Sequence, residues 1–243
     1  MTSPLKSVAR AVRAALTSWT SERTLGHLEA IRAFEFDAAL AHLPRAGRLL
    51  EIGAGTGWQA RAFAARGFDV SAIDIPQSNY KSARVWPVID YDGIRIPFPD
   101  HSFDVVFSSN TLEHVPHVRS FQAEMARVLK PDGVAVHLMP TATWHAWSSL
   151  THLLKWWVPQ PIHGEHAKSL FGEMLGFSAG RWRRIFLETG WHIEHEGSNR
   201  LFYTGTSILD ARLPIQVRSR LSRLMGSSCH LFVLRTAART SAR

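Results

Sequence analysis

Three acids and a glycine run have the types and spacing to hold a small molecule. Glu51 stands just before Gly53-Ala54-Gly55-Thr56-Gly57, Asp74 follows Glu51 by 23 residues, and Asp92 lies further on. Glycines let a backbone turn sharply and let a ligand approach without meeting a Cβ. Where such a loop runs from a strand into a helix, the helix N-terminus adds free N–H groups. The glycines fall at 53, 55 and 57, whereas a dinucleotide fingerprint has its third glycine one residue later.

The acids choose among ligands. Glu51 sits close to where a dinucleotide would lay its pyrophosphate, and a carboxylate there repels phosphate but attracts an ammonium group. Asp74 ends the next apolar run, the place where a carboxylate takes up ribose hydroxyls. A ligand with a ribose, a cationic amine and no phosphate is S-adenosylmethionine.

These residues carry a resemblance. Glu51-Ile52-Gly53-Ala54-Gly55-Thr56-Gly57 resembles the first motif of class I S-adenosylmethionine-dependent methyltransferases, in the subgroup often called type 11. Asp92-Gly93-Ile94-Arg95-Ile96-Pro97-Phe98, the stretch Asp104 to Val115, and Arg127-Val128-Leu129-Lys130-Pro131-Asp132-Gly133 resemble later motifs. The similarity covers Leu49 to about Pro140 well and the last helix and strands loosely. It implies cofactor contacts at Glu51, Gly53, Ala54, Gly55, Gly57, Asp74, Ile75, Asp92, Gly93 and Asn110, with Asp74 on the ribose and Asp92 on the adenine amino group. Asp90 competes with Asp92 for that role. Asp74 has a second reading as a cap, Asn110 as a loop-shaping residue, and Trp58 as packing.

Methyl transfer from a sulfonium is an in-line displacement that binding must align beforehand. An oxygen acceptor needs a base for its proton. His114, in Leu112-Glu113-His114-Val115 at the end of the fourth apolar run, is the candidate catalytic residue, because an imidazole with an ordinary pKa near ~6.5 suits that task. The same Glu-His pair occurs in relatives that methylate phenolic hydroxyls of quinone precursors. A loop-packing role for His114 is the alternative, and Glu113 orients the loop or its donors.

Residues 141–180 are rich in tryptophan and histidine. Trp144, Trp147, Trp156 and Trp157 suit an aromatic wall for an apolar acceptor, a membrane contact helped by Lys155, or the core of a lid. His163, Glu165 and His166 invite a metal hypothesis, but hard cations prefer carboxylates, and no metal is expected. Substrate contact or plain lid structure are their other readings.

The elements that position these groups alternate strand and helix. A helix from about Leu25 to Leu43, ended by Pro44, precedes a strand at Arg48–Ile52. A helix at Gln59–Arg66 follows, then strands at Asp69–Asp74, near Val88–Ile89, and at Phe103–Phe107. Phe121, Met125, Val128 and Leu129 mark a helix face, Lys130-Pro131-Asp132-Gly133 stops it, and Val134–Leu138 is a fifth strand. A helix at Arg181–Thr189, strands near Trp191–Glu196 and His230–Arg235, and partial helix between Ser207 and Met225 complete the pattern. This alternation implies an α/β fold, a Rossmann-like sheet of seven mostly parallel strands with helices on both faces and a lid. The divisions are an N-terminal helical segment (1–46), the cofactor-binding core (47–140), the lid or substrate insertion (141–180) and a C-terminal helix with strands completing the sheet (181–243).

With 243 residues, 45% hydrophobic and 20% charged, the chain can bury a sizeable core. No stretch nears the roughly 20 apolar residues of a bilayer span. Arg10 and Arg13 are not followed by the apolar run of a secretory signal. One cysteine, Cys229, excludes an internal disulfide framework, so a cytoplasmic setting is expected. The net charge is +8, and from Arg181 onward eleven arginines face four acids. The expected activity is methylation of a small or lipid-like acceptor, at oxygen. RNA methylation is the rival that the basic quarter favours, although no RNA-binding module is recognisable. A cofactor-binding partner protein without turnover is the third reading.

Overall fold

The computed structural model describes residues 21–156, 170–205 and 213–236. Its strands are β1 (Gly47–Ile52), β2 (Phe68–Asp74), β3 (Ile89–Asp90), β4 (Phe103–Ser109), β5 (Leu129–Pro140), β6 (Trp191–Ser198) and β7 (Cys229–Thr236). Its helices are α1 (Ser21–Leu40), α2 (Trp58–Ala64), α3 (Val118–Val128), α4 (Ala142–Trp156), α5 (Leu170–Gly176), α6 (Ala179–Glu188) and α7 (Ile215–Met225).

The strands form one sheet in the order β3-β2-β1-β4-β5-β7-β6. The first five are joined by parallel pairings, and β7 lies antiparallel between β5 and β6. The order reverses between β1 and β4, and in such sheets the crevice at the carboxyl ends of the strands is the place for a ligand.

Strand period two sorts the core. Leu50, Ile52, Phe103, Val106, Ala135, Met139, Phe232 and Leu234 belong to one cluster, with Phe121, Met125, Trp182 and Phe186 of α3 and α6. Leu49, Val105, Phe107, Val134, Val136, Leu138, Leu231 and Val233 belong to the other, with Phe36 of α1 and Phe63 of α2. Both faces are apolar, as covered parallel strands require.

Several boundaries differ from those read in the sequence. α1 ends at Leu40, and single turn bonds from His42 to Ala39 and from Leu43 to Leu40 carry the chain on toward Pro44. Leu129 belongs to β5 rather than to the helix face: it pairs with Phe103, and the register then shifts before Val105 meets Val134. Lys130-Pro131-Asp132-Gly133 is therefore a bulge within β5, folded so tightly that a Cβ on Gly133 would lie 2.5 Å from the Leu129 side chain. Among the described residues, the segment 141–180 holds helices α4, α5 and the start of α6, and the helix between β6 and β7 spans Ile215–Met225. Residues 1–20 and 206–212 lie outside the described residues, as do Trp157, His163, Glu165 and His166, and so does the side chain of Trp156.

Candidate active site

The glycine loop joins β1 to α2, as its sequence requires. Gly53 and Ala54 both donate to the Ile73 carbonyl of β2, at 2.9 and 3.1 Å. Gly53 has φ +71, and a Cβ there would lie 2.3 Å from the Thr111 side chain. Only glycine satisfies both demands. Thr111 in turn donates from its hydroxyl to the Ile52 carbonyl at 3.3 Å, tying the segment after β4 to the end of β1. Gly57 caps α2 at φ +76 without a side-chain bond.

Asp74 closes this loop from β2. Its Oδ2 accepts from the Gly55 N–H at 2.9 Å and its Oδ1 from the Ile75 N–H at 2.8 Å. Each oxygen keeps a free lone pair at the carboxyl edge of the sheet, so the structural role and the ribose role are compatible. Glu51 is buried on β1. Burial pushes its carboxyl up to about 8, the Ala60 N–H of α2 opposes that shift, and the Asp74 charge adds to it. Its Oε2 has no hydrogen-bond partner. A buried carboxyl oxygen without a donor is costly, and an ammonium group on a ligand in the loop would satisfy it.

Beyond β3, the two competing aspartates separate. Asp90 is occupied by Lys81 and by Arg84, the latter at 2.7 Å. Asp92 is exposed and uses only Oδ1, which accepts from Ile94 and Arg95 N–H groups, both at 2.8 Å. Gly93 follows in a left-handed conformation against Ile75, and its carbonyl lies 3.1 Å from His117 Nε2. Ile75 and Ile94 are both solvent-exposed apolar side chains on this rim. Glu51, Asp74, Ile75, Asp92, Gly93 and the loop glycines thus follow β1, β2 and β3 along one edge of the sheet. Trp58 instead packs edge-on against Phe36, with centroids 6.0 Å apart.

Across the edge, β4 is followed by Asn110, whose φ is +51 and whose N–H donates to the Leu138 carbonyl of β5 at 2.8 Å. A 3-10 turn, Leu112–His114, follows. His114 is half-exposed, with Nε2 3.9 Å from Glu113 Oε1, beyond hydrogen-bond reach. Glu113 is buried. Desolvation drives its carboxyl up to about 8, against its own backbone N–H and the Arg32 charge, and its Oε2 is unpartnered.

What surrounds this turn has no local signature in the chain. Glu35 of α1, fully buried, accepts at Oε1 from Asn199 Nδ2 (3.0 Å), Tyr203 OH (2.7 Å) and Cys229 Sγ (3.2 Å), and at Oε2 from Arg32 (2.7 Å). Cys229 lies 3.6 Å from Asn110 Oδ1. Burial and the Glu35 charge raise the Cys229 thiol far above its ordinary value, so it stays protonated as a donor. One carboxylate thereby joins α1, the segment after β6 and the start of β7, and Cys229 extends the link to Asn110 just after β4. These groups are up to 194 residues apart in sequence, which no local pattern can reveal. Two lid tryptophans serve packing: Trp144 meets Phe177 edge-on at 6.3 Å, and Trp147 meets Phe202 at 5.8 Å. Among the described residues, no three His, Cys, Asp or Glu side chains converge as metal ligands do.

Residues 50–137 match the family model described as a methyltransferase domain. A Mycobacterium marinum protein named as an uncharacterized methyltransferase is 39% identical over 99 residues, covering 37% of this chain and 38% of that protein. A ubiquinone biosynthesis O-methyltransferase of Rickettsia conorii is 30% identical over 127 residues, covering 47% of this chain and 43% of the relative. The matched stretch therefore spans less than half of these curated relatives. A solved S-adenosylmethionine-dependent methyltransferase from Mesorhizobium loti superposes with a TM-score of 0.58 at 21% identity, over 83% of this chain and 97% of that one. This last likeness shows the fold.

Proposed function

Since residues 50–137 make up a methyltransferase domain of the type 11 family, we propose that this chain transfers a methyl group from S-adenosylmethionine to an oxygen of a small, lipid-like acceptor. The observation that carries the donor half of this reading is the unpartnered, buried Glu51 oxygen next to a glycine-rich loop that Asp74 closes. When bound, the cofactor supplies an electrophilic methyl on a sulfonium. Glu51 takes its ammonium group, Asp74 its ribose hydroxyls, and Asp92, through the oxygen not spent on its own turn, its adenine amino group. Gly53, Ala54, Gly55 and Gly57 let the backbone approach it. Ile75, Gly93 and Asn110 border it.

The acceptor meets the methyl beside the turn after β4. His114 is the exposed imidazole there, and it would take the acceptor's hydroxyl proton. Glu113 carries no full charge at neutral pH, because burial raises its carboxyl to about 8, and this spares the site a fixed anion beside the developing reaction. The O-methyltransferase of Rickettsia conorii supports an oxygen acceptor, and the exposed apolar Ile75 and Ile94 on the rim support a greasy one. A cytoplasmic enzyme is the setting this reading expects.

Calorimetric titration with S-adenosylmethionine tests the donor half: heat of one-site binding is expected, and its absence sinks the reading. Mass spectrometry of a cell extract incubated with the protein and isotope-labelled donor then identifies the acceptor. Label on nitrogen or carbon of the product would move the reaction away from oxygen.

A further inference from the structure

Helix α7 has one unusual face. Its sequence, Ile215-Gln216-Val217-Arg218-Ser219-Arg220-Leu221-Ser222-Arg223-Leu224-Met225, holds three arginines and no acid. Arg218 and Ser222 face inward. The Arg218 guanidinium donates to the carbonyls of Leu213 and Phe202, at 3.0 and 3.3 Å, which fixes the rotation of the helix. Gln216, Val217, Arg220, Arg223 and Leu224 therefore face outward. Leu224 is 88% exposed. Val217, Arg220 and Leu224 follow a helical stripe of spacing three and four, with Arg223 beside it. Neither Arg220 nor Arg223 is held in an ion pair among the described residues.

The C-terminal end of this helix sits near the carboxyl edge of the sheet. The Met225 carbonyl accepts from Trp147 Nε1 of α4 at 3.0 Å, and the Ser227 carbonyl accepts from the Thr141 hydroxyl at 2.7 Å. A Cβ on Gly226 would lie 2.5 Å from the Thr143 side chain, so the end of α7 presses on the start of α4. Three residues on, Cys229 touches Asn110. Arg200, exposed with φ +50, follows β6 at this same edge. Leu150 and Leu153 add further exposed apolar surface along α4.

We propose that the outward face of α7 is a docking surface for an anionic phospholipid bilayer. Charge complementarity argues for this occupant: the helix lacks acids, and the chain from Arg181 onward carries eleven arginines against four acids. The interleaved Val217 and Leu224 separate lipid from nucleic acid, since a phosphate backbone makes no use of an exposed leucine while the interface of a bilayer buries it. Arginines near an anionic surface add electrostatic attraction that salt screens. Docked in this way, α7 holds the carboxyl edge of the sheet close to the membrane, from which a lipid-like acceptor would enter. That last consequence rests on the methyl-transfer reading, whereas the docking does not.

The test is co-sedimentation of the full chain with vesicles of phosphatidylglycerol and phosphatidylcholine, against phosphatidylcholine alone. Binding is expected only to the anionic vesicles, weakening with added salt. Arg220→Glu combined with Arg223→Glu should weaken it at least about tenfold, and Leu224→Ser should weaken it clearly. No sedimentation with anionic vesicles, or full binding by either variant, overturns the proposal. Salt-sensitive binding of single-stranded RNA, lost in the arginine variant without any vesicle binding, assigns the face to nucleic acid and overturns it as well. Calorimetry with S-adenosylmethionine on the same variants should be unchanged. Absence of that heat in the parent chain would remove the donor reading and leave the docking result standing.

Discussion

The two sides of the carboxyl edge are built by different means. The side formed by β1, β2 and β3 is made of backbone: glycine conformations, N–H groups given to Ile73, and an aspartate that accepts from two amides. Its parts all lie between Glu51 and Gly93. The side under α1 and the turn after β4 is made of side chains gathered from Arg32 to Cys229 around the Glu35 carboxylate. Backbone geometry tolerates little change and suits a constant ligand. A side-chain assembly can vary at each member and suits a ligand that differs among relatives. Damage to the first side should thus appear as lost cofactor affinity, and damage to the second as lost stability or turnover.

The largest effect is expected at Glu35. Glu35→Ala removes the shared acceptor of Asn199, Tyr203 and Cys229 and the counter-ion of Arg32, a loss of about 3 kcal/mol. Denaturant unfolding measures it, and a midpoint within error of the parent would show that this side is not held by its carboxylate. His114→Ala comes next. Turnover with the acceptor found by mass spectrometry should fall roughly 10²-fold, with donor affinity measured by calorimetry nearly intact. Normal turnover would move the base elsewhere. Asp74→Ala should weaken donor binding about tenfold, through hydrogen bonds lost to the ligand and to Gly55, and a larger loss of stability than of affinity would blur the contrast between the sides.

The smallest effects are protonic. Glu51 and Glu113 are each raised from an ordinary 4.5 to about 8 by burial. A carboxyl raised on folding stabilises the native state fully below its unfolded pKa and progressively less as pH rises through the folded one. The apo chain should therefore lose stability between about pH 4.5 and pH 8, and Glu113→Gln should flatten that decline in a melting-temperature series. An ammonium group beside Glu51 draws its proton off, so donor binding at neutral pH should release protons. Calorimetry in buffers of different ionisation enthalpy detects this, and Glu51→Gln should abolish it. Persistence of the release in that variant would place the proton on another group.

The same contrast sets what could be read in advance. β1, β2 and β4 are legible because each is a local apolar run, ending before Gly53, at Asp74 and before Asn110. The mostly parallel sheet follows from the alternation itself. The bulge at Lys130–Gly133 is hidden because its cause is Leu129 packing back onto the strand, a tertiary preference that overrides a turn-rich sequence. That Asp90 is engaged by Lys81 and Arg84 is visible only in the structure, because their spacing in the chain does not set this pairing apart. Glu35 and Arg32 read as ordinary polar positions on a helix, since nothing in their spacing points to partners that lie beyond β6.

β7 has a consequence for how the chain is made. It arrives last among the described strands, yet it stands between β5 and β6. β6 has no other partner in the sheet, and β5 from Ala135 to Pro140 has nothing else on that flank. During synthesis, a nascent chain can assemble five strands while one long apolar edge stays bare and adhesive. The emergence of β7, not that of the glycine loop, is then the moment when this edge is covered.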